Sequence, residues 1–146
     1  MPKARQSVKK RGKKVFRFGE KMDKTKANCL NPVVLAFVGD AVYSLFVRER
    51  LTFNSDKKAG ELNILAVKEV RATAQAEFFK EIKTLLTEEE LSVFKHARNA
   101  KKTTRAKSAS VAEYNVSTGF EAVLGYLYMT GETERLNYLL NKGITE

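Results

Sequence analysis

Sulfur and imidazole are scarce in this 146-residue chain. Cys29 is the only cysteine, so no intrachain disulfide can form, and the role expected of it is that of a small buried side chain. His96 is the only histidine and stands among lysines, which argues against a zinc site or a histidine-based triad. Neither the dinucleotide-binding GxGxxG pattern nor a P-loop occurs. No apolar run is long enough to span a bilayer, and the basic N-terminus lacks the apolar stretch of a secretory signal. A cytoplasmic protein without a membrane segment is expected. Period-two alternation is also hard to find, so strands are not expected.

What the chain does have is positive charge, unevenly placed. The formal net charge is +10. Residues 1–26 hold eleven Lys or Arg against two acids, Glu20 and Asp23, a surplus of nine. The remaining residues hold sixteen basic and fifteen acidic side chains, a surplus of one. A segment so charged and so poor in apolar surface cannot fold alone. Residues 1–28 are therefore read as a basic disordered tail, and 29–146 as one folded domain. The tail suits phosphate contact with counterion release; the plainer reading is a solubilising extension that binds nucleic acid without selection.

Apolar residues recur at i, i+3, i+4 and i+7 through most of the domain, which predicts an all-α fold. Asn31 and Pro32 are suited to the cap and first position of a helix running to about Leu51. Its apolar residues cover more than one face, so it is expected to be the central, most buried helix. Gly39 in its middle implies a close backbone approach by another helix or another chain. Asp56 is a candidate cap for a second helix reaching about Val70, and the pattern continues helically over Ala72–Leu86. Thr87-Glu88-Glu89-Glu90 is a capping box that opens another helix. Residues 99–110 read as a loop. A helix from about Val111 to Tyr128 follows, broken by Thr130-Gly131, and a short last helix covers Glu132–Leu140.

Two carboxylates stand inside strongly apolar runs: Asp40 in Val33–Tyr43 and Glu121 in Phe120–Leu127. Burying an ionised carboxylate without a partner is costly. On a helix, the neighbours of Asp40 at three and four residues are Phe37, Tyr43, Ala36 and Ser44, and those of Glu121 are Ser117, Thr118, Leu124 and Gly125. None is a cation. A metal ion shared by the two would explain both, since two like charges raise each other's pKa unless a cation lies between them. Mg²⁺ needs only one or two protein carboxylates, with water and phosphate completing its octahedron. The structural alternative is an aspartate at a helix crossing held by hydroxyls or an arginine, and a buried glutamate paired with Arg48 or Arg71. A third feature is the segment Lys95–Lys107, with six Lys or Arg and no acid between Glu90 and Glu113. Arg98, Asn99, Lys101, Lys102 and Arg105 are its candidates for RNA contact; the alternative is a charged, exposed connector.

Asn31-Pro32 followed by Leu35-Ala36-Phe37-Val38-Gly39-Asp40-Ala41-Val42-Tyr43 resembles the signature helix of the ribonuclease III family. Phe120-Glu121-Ala122-Val123-Leu124-Gly125-Tyr126-Leu127 resembles that family's second catalytic helix. Val70–Glu77 and His96–Lys101 are similar to its short bacterial form, Mini-ribonuclease III. The resemblance covers residues 31 to about 140. It implies an all-α, homodimeric endonuclease domain that hydrolyses double-stranded RNA with Mg²⁺, and as substrate the precursor of large-subunit (23S) ribosomal RNA, free or in a ribosomal particle. It implies that Asp40 and Glu121 are the catalytic, metal-holding residues. No separate double-stranded-RNA-binding domain is expected. Fuller members of the family carry two further carboxylates, at positions occupied here by Ala36 and Thr118; the short form shares these departures. Ala36 and Thr118 also feed a rival reading, a non-catalytic RNA- or ribosome-binding protein that keeps the fold. A plain helical DNA-binding module ranks last, for want of a recognition helix.

Overall fold

A computed structural model of the chain describes residues 20–102 and 109–144. Most of the tail, together with Arg105 and Lys107, lies outside the described residues. Among those described, the elements are α1 (Lys24–Cys29), α2 (Pro32–Phe53), α3 (Ala59–Val70), α4 (Ala72–Ile82), a 3₁₀ turn (Lys83–Leu85), α5 (Glu88–Asn99), α6 (Val111–Met129) and α7 (Thr133–Gly143), with no strand. The fold is all-α, as the periodicity predicts.

The helix ends follow local chemistry. Asn31 Oδ1 accepts from the Val33 amide at 2.8 Å, and Pro32 opens α2. Thr87 Oγ1 accepts from the Glu90 amide at 3.1 Å while Glu90 Oε1 accepts from the Thr87 amide at 2.9 Å. The buried Glu90 carboxylate also takes Nε and Nη2 of Arg135, each at 2.8 Å, and Arg135 donates to the Leu85 carbonyl at 2.6 Å. This bidentate pair ties the start of α5 to α7. Gly131, at φ 75°, turns the chain between α6 and α7.

Four expectations need correction. The tail boundary moves back: residues 20–28 are placed, and α1 packs on the domain. Asp23 caps α1 by accepting from the Thr25 amide at 2.8 Å, Ala27 is fully buried, and the Met22 amide donates to the Met129 carbonyl at 2.7 Å. A reading by charge passed over the apolar Met22, Ala27 and Leu30, which pack on the core. Cys29 is exposed, not buried, because it lies on the outer side of α1. Asp56 does not cap α3, which begins at Ala59 with Lys58 before it; the Glu61 carboxylate accepts from the Lys58 amide at 3.5 Å. Finally, the most buried helix is α6, not α2. Ser117–Phe120 and Ala122–Leu127 are all buried, whereas α2 buries Leu35, Ala36, Gly39, Tyr43 and Val47 and leaves Val34, Phe37 and Leu45 exposed on its other side.

The crossing of α2 over α6 organises the fold. It is made backbone to backbone, with a glycine from each helix. A Cβ on Gly39 would stand 1.6 Å from the Glu121 carbonyl oxygen, and one on Gly125 would stand 1.9 Å from the Leu35 carbonyl oxygen. The close approach that Gly39 implies is thus made by another helix of the same chain. Tyr43 of α2 packs edge-on against Phe120 of α6 at 5.2 Å and against Phe78 of α4 at 5.3 Å. Phe79 of α4 stacks on Phe94 of α5 at 4.3 Å. Gly125→Ala is expected to destabilise the fold by about 3 kcal/mol, because backbone atoms cannot step aside as a flexible side chain can. Denaturant unfolding of the variant measures this.

Candidate active site: two carboxylates at a helix crossing

Asp40 follows Gly39 on α2, and Glu121 is the residue whose carbonyl Gly39 touches on α6. The absence of side chains between the two backbones is what lets their carboxyl groups meet. They are near enough that Asp40, by hydrogen bonding and by its charge, helps raise the Glu121 pKa. Asp40 is exposed and Glu121 is half-buried, so only one of the two is the interior charge that the apolar surroundings imply. The reason is that Asp40 stands on the exposed side of α2, with Phe37 and Ala41. No lysine or arginine of the described residues forms an ion pair with either carboxylate. Neither Arg48 nor Arg71 partners Glu121.

Its partner is Gln75. The Gln75 amide nitrogen donates to Glu121 Oε2 at 3.1 Å and to the Val70 carbonyl at 2.8 Å. Gln75 is only 2% exposed, and its Oε1 is buried without a hydrogen-bond donor. Leaving a buried acceptor unpaired costs about 1–3 kcal/mol. Sequence reasoning missed this residue, although a signal was present. Gln75, Phe78, Phe79 and Ile82 share one stripe of α4, so Gln75 is the polar member of a core-facing row.

Burial pushes the Glu121 carboxyl up to about 9; the hydrogen bond with Asp40 and the charge of Asp40 add to the rise, and the Gln75 amide opposes it. Two carboxyl groups so near each other need either a proton or a cation between them. The donor set is hard and anionic, all oxygen, and no cation of the described residues pairs with it, which fits a hydrated divalent ion such as Mg²⁺. Among the described residues no group of three or more His, Cys, Asp or Glu forms, so these residues bring no third such side chain to Asp40 and Glu121. The two positions that carry further carboxylates in fuller members of the family hold none here. Ala36 is packed in the core, and Thr118, buried, turns its Oγ1 to the Tyr114 carbonyl at 3.0 Å.

The basic residues gather at the end of α5. Asn99 and Lys101 are exposed. Arg98 lies over the Phe94 ring at 5.5 Å, and its Nε donates to Asn99 Oδ1 at 3.0 Å. Lys102 is turned to its own chain: its ammonium donates to the carbonyls of Arg98 at 2.9 Å and Ala100 at 2.7 Å, and burial lowers its pKa. It acts as a cap on the last turn of α5. His96 is exposed.

The model of the ribonuclease III domain matches residues 33–132, a span that contains both carboxylates. The chain belongs to the ribonuclease III family. Within that family it is similar to proteins of the Mini-ribonuclease III branch. It is 44% identical to Mini-ribonuclease 3 of Clostridium tetani, over 84% of this chain and 82% of that one. It is 46% identical to Mini-ribonuclease 3 of Thermoanaerobacter sp., over 79% of this chain and 81% of that one. A crystal structure of a Fusobacterium nucleatum protein superposes with a TM-score of 0.71 at 30% identity, covering 77% of this chain and 90% of that one.

The raised Glu121 carboxyl gives the metal-free chain a distinctive pH response. Between the ordinary glutamate value of 4.5 and about 9 the folded state holds a proton that the unfolded state has released. Stability is therefore fully present at the acid end of that window and falls as the pH rises through it. Thermal unfolding in EDTA across this range is expected to show the decline, and Glu121→Gln is expected to flatten it.

Proposed function

We propose that the chain cleaves double-stranded RNA by Mg²⁺-dependent hydrolysis at Asp40 and Glu121. It is an endoribonuclease of the ribonuclease III type. The observation that carries the proposed chemistry is the pairing of two carboxylates at a backbone-to-backbone helix crossing, with no lysine or arginine of the described residues in an ion pair with either. Mg²⁺, when bound, would supply neutralisation of phosphate charge and activation of water. Asp40 presents its carboxylate from the exposed side of α2, where a phosphodiester can approach. Glu121 presents its own from the interior, with one oxygen held by Gln75. The crossing keeps the two at a fixed separation, so little reorganisation is needed on binding.

Cleaving both strands calls for two sites, and α2 offers a surface for pairing two copies. Val34, Phe37, Ala41 and Leu45 form one exposed stripe, with Phe37 80% and Leu45 66% exposed. An apolar row of this kind on a small domain marks an interaction face. A homodimer joined there would carry two Asp40–Glu121 sites to one duplex. A-form RNA is read through its shape, phosphates and 2′-hydroxyls. Arg98, Asn99, Lys101 and Arg105 are the proposed contacts from the α5–α6 connection, and Lys102 holds the start of that connection. The basic segment at residues 1–19 would add salt-sensitive affinity. Likeness to Mini-ribonuclease III supports precursor 23S ribosomal RNA as the substrate, in the cytoplasm and within reach of ribosomal particles. The rival, an RNA-binding protein without catalysis, lacks a reason for two paired carboxylates.

Asp40→Asn and Glu121→Gln are each expected to lower Mg²⁺-dependent cleavage of a duplex RNA by at least about a hundredfold, while duplex binding in EDTA stays within about twofold. Undiminished cleavage by either variant removes that residue from the site; binding with no metal-dependent product from the unaltered chain favours the rival. Phe37→Asp is expected to convert the dimer to monomer in sedimentation velocity at micromolar concentration. A variant that sediments like the parent rules out the α2 stripe as the interface.

A further inference from the structure

Gln75 lies within the Val70–Glu77 stretch but has been given no role there, yet its side-chain amide donates to Glu121 Oε2. The orientation of its amide is determined by its surroundings. Both of its near neighbours, the Val70 carbonyl and Glu121 Oε2, are acceptors. Turning the amide over would set oxygen against oxygen at both contacts, so the nitrogen must face them. The Val70 carbonyl is the last of α3, without a helical partner of its own. One N–H is thus anchored to backbone, and the second is held at a fixed point on Glu121.

A residue kept for packing alone would be different. With 2% exposure, this position would suit leucine or methionine, which would bring no unpaired buried oxygen. A lysine or arginine here would donate as well, but its charge would neutralise Glu121 and compete with any cation. A glutamate would add a third negative charge. Glutamine is the side chain of this length that donates twice and carries no charge.

We infer that Gln75 is a positioning residue for the metal site: it holds Glu121 Oε2 from the interior side and so directs the rest of the carboxylate, with Asp40, toward a divalent cation. This rests on the reading of Asp40 and Glu121 as metal-holding residues. Gln75 touches neither RNA nor cation, and acts through Glu121. Partners that orient a metal-bearing carboxylate are commonly worth 10- to 100-fold in metal affinity.

Mn²⁺ binding in the absence of RNA, followed by electron paramagnetic resonance of the free ion, tests this without reference to cleavage. Gln75→Met is expected to weaken Mn²⁺ binding by about tenfold, with an unfolding temperature in EDTA close to the parent's. Gln75→Asn retains an amide but is one methylene too short to reach both acceptors, so an intermediate loss is expected. The Mg²⁺ concentration for half-maximal cleavage should rise in the same order. Affinity for Mn²⁺ within twofold of the parent in Gln75→Met overturns the inference. So does a loss that merely tracks falling thermal stability across the two variants. If Gln75→Met does not fold, Gln75→Asn decides alone, by the same threshold. Glu121→Gln separates the two levels. If it keeps parental Mn²⁺ affinity, the metal site itself is wrong; if it loses binding while Gln75→Met keeps it, only the role of Gln75 is wrong.

Discussion

The contact of two helix backbones at Gly39 and Gly125 is the constraint on which the rest of the molecule depends. Each glycine receives a carbonyl from the opposite helix, at Glu121 and at Leu35. The contact is reciprocal, so it determines both the separation and the register of α2 on α6. Register matters because the residue next to Gly39 is Asp40, and the carbonyl that Gly39 receives belongs to Glu121. Sliding α2 by one turn would part the two carboxylates and bury different side chains at once. The aromatic contacts of Tyr43 with Phe120 and Phe78 then extend the same crossing into the core.

Around this crossing, polar groups divide by task. The Glu90–Arg135 pair is a full ionic lock, made where α5 meets α7 and satisfied by Thr87 and Leu85 besides. At Glu121 the partner is an amide, and no cation of the described residues forms an ion pair with it. A charged partner settles the charge of a carboxylate; a neutral donor settles only its orientation. The difference between the two acids is the difference between a residue that holds the fold and one left free to hold something else.

Much of this was legible in the sequence. Helical periodicity, the Asn31-Pro32 start, the Thr87 box and the Thr130-Gly131 break all act over three or four residues, and each proved local in the structure too. Asp40 and Glu121 stood out because each lacked a cation at helical spacing. What escaped depends on distant contacts. Composition masked α1, because the few apolar residues that dock it, Met22, Ala27 and Leu30, stand at the end of a strongly basic segment. The ranking of α2 and α6 by burial was inverted, since apolar content alone does not say which faces find partners. Gln75 was hidden because its partner lies on another helix, and a glutamine among phenylalanines means little until that partner is known. Lys102 was counted with the phosphate-binding charges, whereas its ammonium is occupied by carbonyls of its own helix end.

Ala36 and Thr118 have a consequence in stoichiometry. The site offers two negative charges, and one divalent ion balances them. A second ion would bring two positive charges with nothing in the described chain to offset them, and only the phosphates of the substrate could do so. A site so lean would take up metal beyond the first equivalent together with its RNA and shed it with the product. On the proposed reading, its metal content would then report whether substrate is present.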